Sequence, residues 1–286
     1  MKKLAVLFFA GLIIAGPAPA QSSVWKISNN ENFLYLGGSI HILRSGDYPL
    51  PGAFDAAFNE SDILVLETDV RQMSNPEVLE KMMSQMSLPG DETLQTVLSK
   101  RTYRELELWC GKYELSMDMV MKLKPAMVIN VLGSLQSQYL GFVQLGADLF
   151  YLSKAKDEAK ALGFLEPIDL QIDLLTGMGS GYEDEYVRYS FEDWERMGKE
   201  LDLLVAEWKR GSAGRIESTL IRMKAKFPAV YRAMFADRNN SWMPLIEGYL
   251  HTREVEFIIT GLGHLYGPDG VLPLLRSRGY RVEQMP

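Results

Sequence analysis

The chain has 286 residues, 47% hydrophobic and 23% charged, with a mean hydropathy of −0.07. A disordered chain is excluded, because it would carry fewer apolar residues and more net charge. A formal charge of −7 and a pI near 5.2 exclude a basic nucleic-acid surface, and the lone Cys110 excludes an intramolecular disulfide or a thiolate metal cluster.

The elements follow in chain order. Lys2 and Lys3 precede an apolar run over residues 4–15, then Gly16, Pro17 and Ala18-Pro19-Ala20. A basic start, a short apolar stretch and an A-x-A site predict a secretory signal over residues 1–20. The expected mature chain begins at Gln21, is periplasmic or secreted, and has no stable membrane insertion after cleavage. Residues 33–40 (FLYLGGSI) and 63–68 (ILVLET) read as strands, and Pro51 starts a short helix between them. From about 76 to 251 the spacing is mostly helical. One long stripe holds Trp194, Met197, Leu201, Leu204, Val205 and Trp208 and stops at Gly211. A shorter stripe at Leu152, Ala155, Ala159 and Leu162 stops at Gly163, followed by one strand near Phe164-Leu165-Glu166. Residues 254–260 (EVEFIIT) form a strand, 267–277 a loop and helix, and 280–283 a last strand.

The expected fold class is α/β. A mixed sheet is built from N- and C-terminal strand–Gly-x-x-His–helix–strand halves, with a large helical insertion between them. Residues 21–286 form a single domain, divided into a βα half at 21–75, a mostly helical middle at 76–252 and a second βα half at 253–286.

Two of the three histidines end matching constructions. Gly38-Ser39-Ile40-His41 and Gly261-Leu262-Gly263-His264 each follow a strand and precede a Gly/Pro/Asp loop. Ligands of open α/β sheets bind beyond the carboxyl ends of strands, and glycine lets backbone approach them closely. Gly38 and Gly261 are therefore candidate binding positions, and a pseudo-twofold arrangement would bring His41 and His264 to one cleft. His251, at a helix end, is explained by capping. Glu67 closes the apolar run 63–66, where a buried carboxylate needs a cation beside it. It is a metal ligand, a general base, or an ion-pair partner of Arg44 or Arg71. Arg238 would clamp a carboxylate or stabilise developing negative charge, and Asn239 would donate hydrogen bonds. A surface arginine and a helix cap are the plain alternatives.

These residues resemble the TraB/GumN family, to whose broad group the animal Tiki metalloproteases belong. The resemblance lies in residues 34–44 (LYLGGSIHILR), Leu66-Glu67-Thr68, Gly146-Ala147-Asp148 and Leu165-Glu166-Pro167 with Gln171. Arg238-Asn239 and the stretch from Gly261 through Asp269-Gly270 complete it. It covers essentially the whole mature chain. What it implies is a divalent-metal site (Mn, Co or Zn) at the paired Gly-x-x-His motifs, carried over to His41, His264 and Glu67, with Arg238 nearby.

Two functions are open at this level. One is an exported metal-dependent hydrolase, plausibly a peptidase, acting on a peptide or small polar substrate with Glu67 and Arg238 in catalytic roles. The other is a non-catalytic module that captures a peptide, a small ligand or haem in the same cleft. An H-E-x-x-H helix and a G-x-S-x-G elbow are both absent from the sequence. Oligomeric state is not encoded in any of these motifs.

Overall fold

The computed structural model describes residues 22–286, apart from the side chains of Gln144, Asp193, Arg196 and Met197. The expected signal segment at 1–20 lies outside the described residues. The strands are β1 (Val24–Ser28), β2 (Phe33–Ser39), β3 (Ile42–Leu43), β4 (Ile63–Leu66), β5 (Gln144–Leu145), β6 (Ala161–Phe164), β7 (Glu256–Gly261) and β8 (Arg281–Gln284). Six form one mixed sheet in the order β6-β4-β7-β2-β1-β8, and β3 pairs with β5 in a separate ribbon. The four strands β6, β4, β7 and β2 run parallel, whereas β1 joins β2 and β8 antiparallel. Strands from the two chain ends meet in one sheet, and most of the helices lie between them in sequence.

β7 sits at the centre and is buried along its whole length. A strand covered on both faces is apolar on both, which is why Phe257, Ile258 and Ile259 run without alternation. Its core includes Leu34, Leu36, Phe54, Tyr151 and Trp208. A second core, with Leu106, Leu132, Val187 and Trp194, lies among the helices. The long helix Glu183–Lys209 ties them together, giving Trp194 to the helical core and Val205 and Trp208 to the sheet core.

Three sequence expectations change. β1, β3 and β5 were not among the expected strands. The helical stripe through Leu162 is broken: the helix is Ala147–Asp157, Ala159 takes a left-handed φ of 52°, and Leu162 lies inside β6. Apolar residues at helical spacing therefore belong to two elements, because a turn intervenes. Finally, the two Gly-x-x-His strands are parallel neighbours, with Ser39 opposite Gly261, rather than related by a twofold.

Candidate functional site

All four parallel strands bring a site residue to their shared carboxyl edge. β4 is followed by Glu67, β6 by Leu165-Glu166, β7 ends at Gly261, and β2 ends at Ser39 with His41 two residues on. Adjacent parallel strands place these side chains side by side, so neighbours in space are far apart in sequence.

Glu67 is met by three donors. The Gly261 N–H donates to Oε1 at 2.6 Å, Arg238 Nη2 to Oε2 at 2.5 Å, and Gln171 Nε2 to Oε2 at 3.2 Å. Arg238, on the helix Asp237–Tyr249, is the ion-pair partner, in place of Arg44 or Arg71. Those two lie nearer in sequence, but Arg71 pairs with Asp69 and Arg44 reaches Asp202. Arg238 also holds Glu166, with Nε at 3.1 Å from both oxygens and Nη2 at 2.7 Å from Oε1. Its Nη1 donates to the Met234 carbonyl and His264 Nε2, at 3.1 and 3.0 Å. Each N–H of the guanidinium thus faces a protein acceptor, and Arg238 organises the site instead of reaching out to a substrate carboxylate. Glu166 further accepts from Gln171 and Trp242 Nε1, both at 2.9 Å.

His264 is buried between two rings, with Trp242 at 4.4 Å and Phe235 at 5.1 Å between centroids. Asn239 sets its tautomer. The amide Nδ2 donates to the carbonyls of His264 and Asp269, so Oδ1 faces the ring and accepts from Nδ1 at 2.7 Å. This leaves the Nε2 lone pair toward Arg238 and Glu67 Oε1, the latter 3.8 Å away. Asn239 is therefore buried and structural, not an exposed donor.

His41 occupies the open side, with 58% of its side chain exposed. Its Nδ1 lies 3.1 Å from Asp148 Oδ2, and Ser39 Oγ donates to Asp148 Oδ1 at 2.5 Å. Nε2 points at Gly261. A Cβ on residue 261 would lie 2.8 Å from His41 Nε2 and 3.4 Å from Glu67 Oε1. His41, Glu67 and His264 thus converge on Oε1 of Glu67, and glycine at 261 keeps the space between them clear. Gly38 serves packing: a Cβ there would strike Leu262 Cδ1 at 2.6 Å.

The charges follow from this placement. Burial pushes the His264 imidazolium down to about 3, Glu67 opposing and Arg238 and His41 reinforcing, so the ring is neutral. Burial works against ionisation of Glu67, but His264, Arg238, His41 and the Gly261 N–H hold its carboxyl at about 2. Since a neutral His264 carries no charge, Arg238 and His41 are the cations that keep Glu67 anionic near neutrality. For His41, desolvation pulls down, while the Asp148 hydrogen bond, the Asp148 charge and Glu67 lift the pKa to about 9. A ring this open to solvent loses little by desolvation, so the upward direction stands.

Neutral imidazole and carboxylate are suitable donor types for a divalent ion, but as arranged they do not fit one. Arg238 Nη1 occupies the His264 Nε2 lone pair, and its guanidinium already supplies the cation that Glu67 needs. Among the described residues no three His, Cys, Asp or Glu side chains are grouped to hold a metal. The site opens into a cavity of about 230 Å³ lined by His41, Glu67, Thr68, Asp148, Gln171 and Ile259 among others. Thr68 Oγ1 in that wall is buried without a partner among the described residues.

Sequence reading gave no role to Asp148, Glu166, Gln171 or Ser39. Glu166 had a signal: Gly163-Phe164-Leu165-Glu166 repeats the apolar-run-then-acid pattern of Val65-Leu66-Glu67.

Comparison with known proteins agrees with the sequence resemblance. The TraB/PrgY/gumN family model matches residues 23–284, and the chain belongs to that family. It is similar to metalloprotease TIKI2 of Danio rerio, 22% identical over 322 residues that cover 93% of this chain and 61% of that relative. The chain thus spans less than two thirds of that relative's length. No solved structure matches. No helix among the described residues is long and apolar enough to cross a membrane.

Proposed function

We propose that this TraB/PrgY/gumN family member is an exported hydrolase, periplasmic or secreted, that cleaves amide bonds of a peptide or small polar substrate over Glu67. One observation carries the reading: a solvent-open imidazole, oriented by a carboxylate that is itself held by a serine, faces a buried anionic centre across a glycine. A base held by an orienting carboxylate is the arrangement that moves a proton during hydrolysis. In this reading His41 enters as the imidazolium, gives its Nε2 proton to the leaving amine and regains one from the water that adds to the carbonyl. Asp148 fixes the ring, and the Thr68 hydroxyl hydrogen-bonds the substrate in the cavity. Glu67, Arg238, Glu166 and His264 keep the wall of that cavity rigid and charged. The name of the Danio rerio relative supports a peptide substrate.

The test is hydrolysis of a fluorogenic peptide library by the exported chain, whose intact mass should begin near Gln21. His41→Asn should lower turnover by about 10²–10⁴-fold. Thr68→Val should raise KM. Chelation and repletion with Mn²⁺, Co²⁺ or Zn²⁺ read the metal expectation. Activity that survives chelation assigns proton transfer to His41 alone, whereas activity restored only by an ion means Arg238 must leave His264. Tight peptide capture without turnover in any arm would return the chain to the binding-module reading.

A further inference from the structure

The helical layer carries a second ligand-sized space that shares no lining residue with the His41 cavity. A pocket of about 430 Å³ lies among the helices Pro125–Tyr139, Glu183–Lys209 and Gly214–Lys226. Its walls include Tyr182, Tyr186, Trp194, Met178 and Val230, and no described charged side chain lines it. A volume of several hundred Å³ with aromatic walls and few polar groups suits a small organic ligand. Tyr189, Met223 and Phe227 form a wall common to this pocket and to a second one of about 330 Å³.

The second pocket has the opposite chemistry. Glu200, Arg215, Arg222 and Lys226 line it. Glu200 is spent on Arg215, 2.9 Å away, and Arg215 also approaches Glu207 at 3.5 Å. Among the described residues Arg222 donates only to Thr219 Oγ1, and Lys226 lies over the rings of Tyr189 and Phe227. No described carboxylate pairs with either cation. An aromatic chamber therefore adjoins, across Tyr189, Met223 and Phe227, two cations that pair with no described carboxylate.

We propose that this two-part pocket binds a small amphipathic carboxylate, with its apolar body among the aromatic side chains and its carboxylate on Arg222 and Lys226. Apolar burial supplies affinity and the cations supply selection, because a charge-assisted contact is lost when the ligand carries no charge.

Titration calorimetry of the full chain with octanoate, 1-octanol and octylamine tests this. Octanoate should bind one to one, with octanol and octylamine at least tenfold weaker. The double substitution Arg222→Gln and Lys226→Gln is on exposed side chains and should cost octanoate tenfold or more while leaving octanol unchanged. Met223→Glu, in the shared wall, should weaken both. Equal affinity for octanoate and octanol, unchanged octanoate binding in the double variant, or no saturable binding at all would each overturn the proposal. None of these outcomes touches the hydrolase reading.

Discussion

At the residue scale the site is organised by Arg238, whose pairing is 171 residues away from Glu67 in sequence. A carboxylate at the end of an apolar strand announces that some cation must be near, so Glu67 was legible. Which cation was not, because parallel strands bring distant residues together while Arg44 and Arg71 are drawn off by closer acids. The consequence is measurable. Glu166→Gln removes the buried one of two anions from a guanidinium whose side chain is 13% exposed, and breaking a buried pair costs about 3–5 kcal/mol. Urea denaturation should show a loss of that order, and a loss below about 1 kcal/mol would mean that Glu67 alone satisfies Arg238. Asp148→Asn should behave differently. It removes the anion that lifts His41, so the imidazole pKa, followed by proton NMR, should fall from about 9 toward its ordinary value with little loss of stability. If His41 carries the proton in hydrolysis, the pH–rate limb must move down with it.

At the element scale, β7 shows what the sequence specifies and what it leaves to packing. Its apolar run marks a strand buried on both faces, and its trailing Gly-x-x-His marks a ligand-facing end. β1, joined to it only through β2, was missed because VWKIS is a single short run, although a turn follows it in which Asn29 Oδ1 accepts from the N–H groups of Glu31 and Asn32. The two ends of β7 are stressed in different ways. At the amino end Glu256 is 1% exposed, with Oε1 3.1 Å from Thr252 Oγ1 and Oε2 without a described partner. Burial raises its pKa, with Glu254 and Asp62 adding to the effect. The folded state therefore prefers the protonated acid, and stability is lost as pH rises above the unfolded pKa. Glu256→Gln should raise Tm at pH 8 and leave it nearly unchanged at pH 4, read by scanning calorimetry. At the carboxyl end, Gly261→Ala places a methyl 2.8 Å from His41 Nε2. His41 is exposed enough to swing away, so the fold should persist while any turnover that depends on that ring collapses.

At the scale of the whole molecule, the centre joins β4, β7 and the helix Asp237–Tyr249, so its protonation should set the stability of the fold. Three groups act over separate windows. The folded pKa of His264, about 3, lies below its ordinary 6.5, so its contribution is complete above pH 6.5 and is lost as pH falls from there toward 3. Glu67, at about 2 against an ordinary 4.5, contributes fully above 4.5 and loses that between 4.5 and 2. His41 has the opposite sign: raised to about 9, it contributes below 6.5 and loses that contribution as pH climbs from 6.5 to 9. Each proton that differs between folded and unfolded chains gives a slope of about 1.4 kcal/mol per pH unit. Stability attributable to the site should therefore peak near pH 6.5 and fall more steeply in acid, where His264 and then Glu67 must both take up protons that the buried site resists. The alkaline side should be shallower, because His41 is largely exposed and water screens its attraction to Asp148. Urea midpoints measured from pH 3 to 10 give the curve. Asp148→Asn should flatten the alkaline limb and leave the acid limb standing, since it touches neither His264 nor Glu67. A variant that flattened both limbs, or a wild-type curve without an acid limb beginning near 6.5, would show that a neutral His264 is not what the folded chain requires.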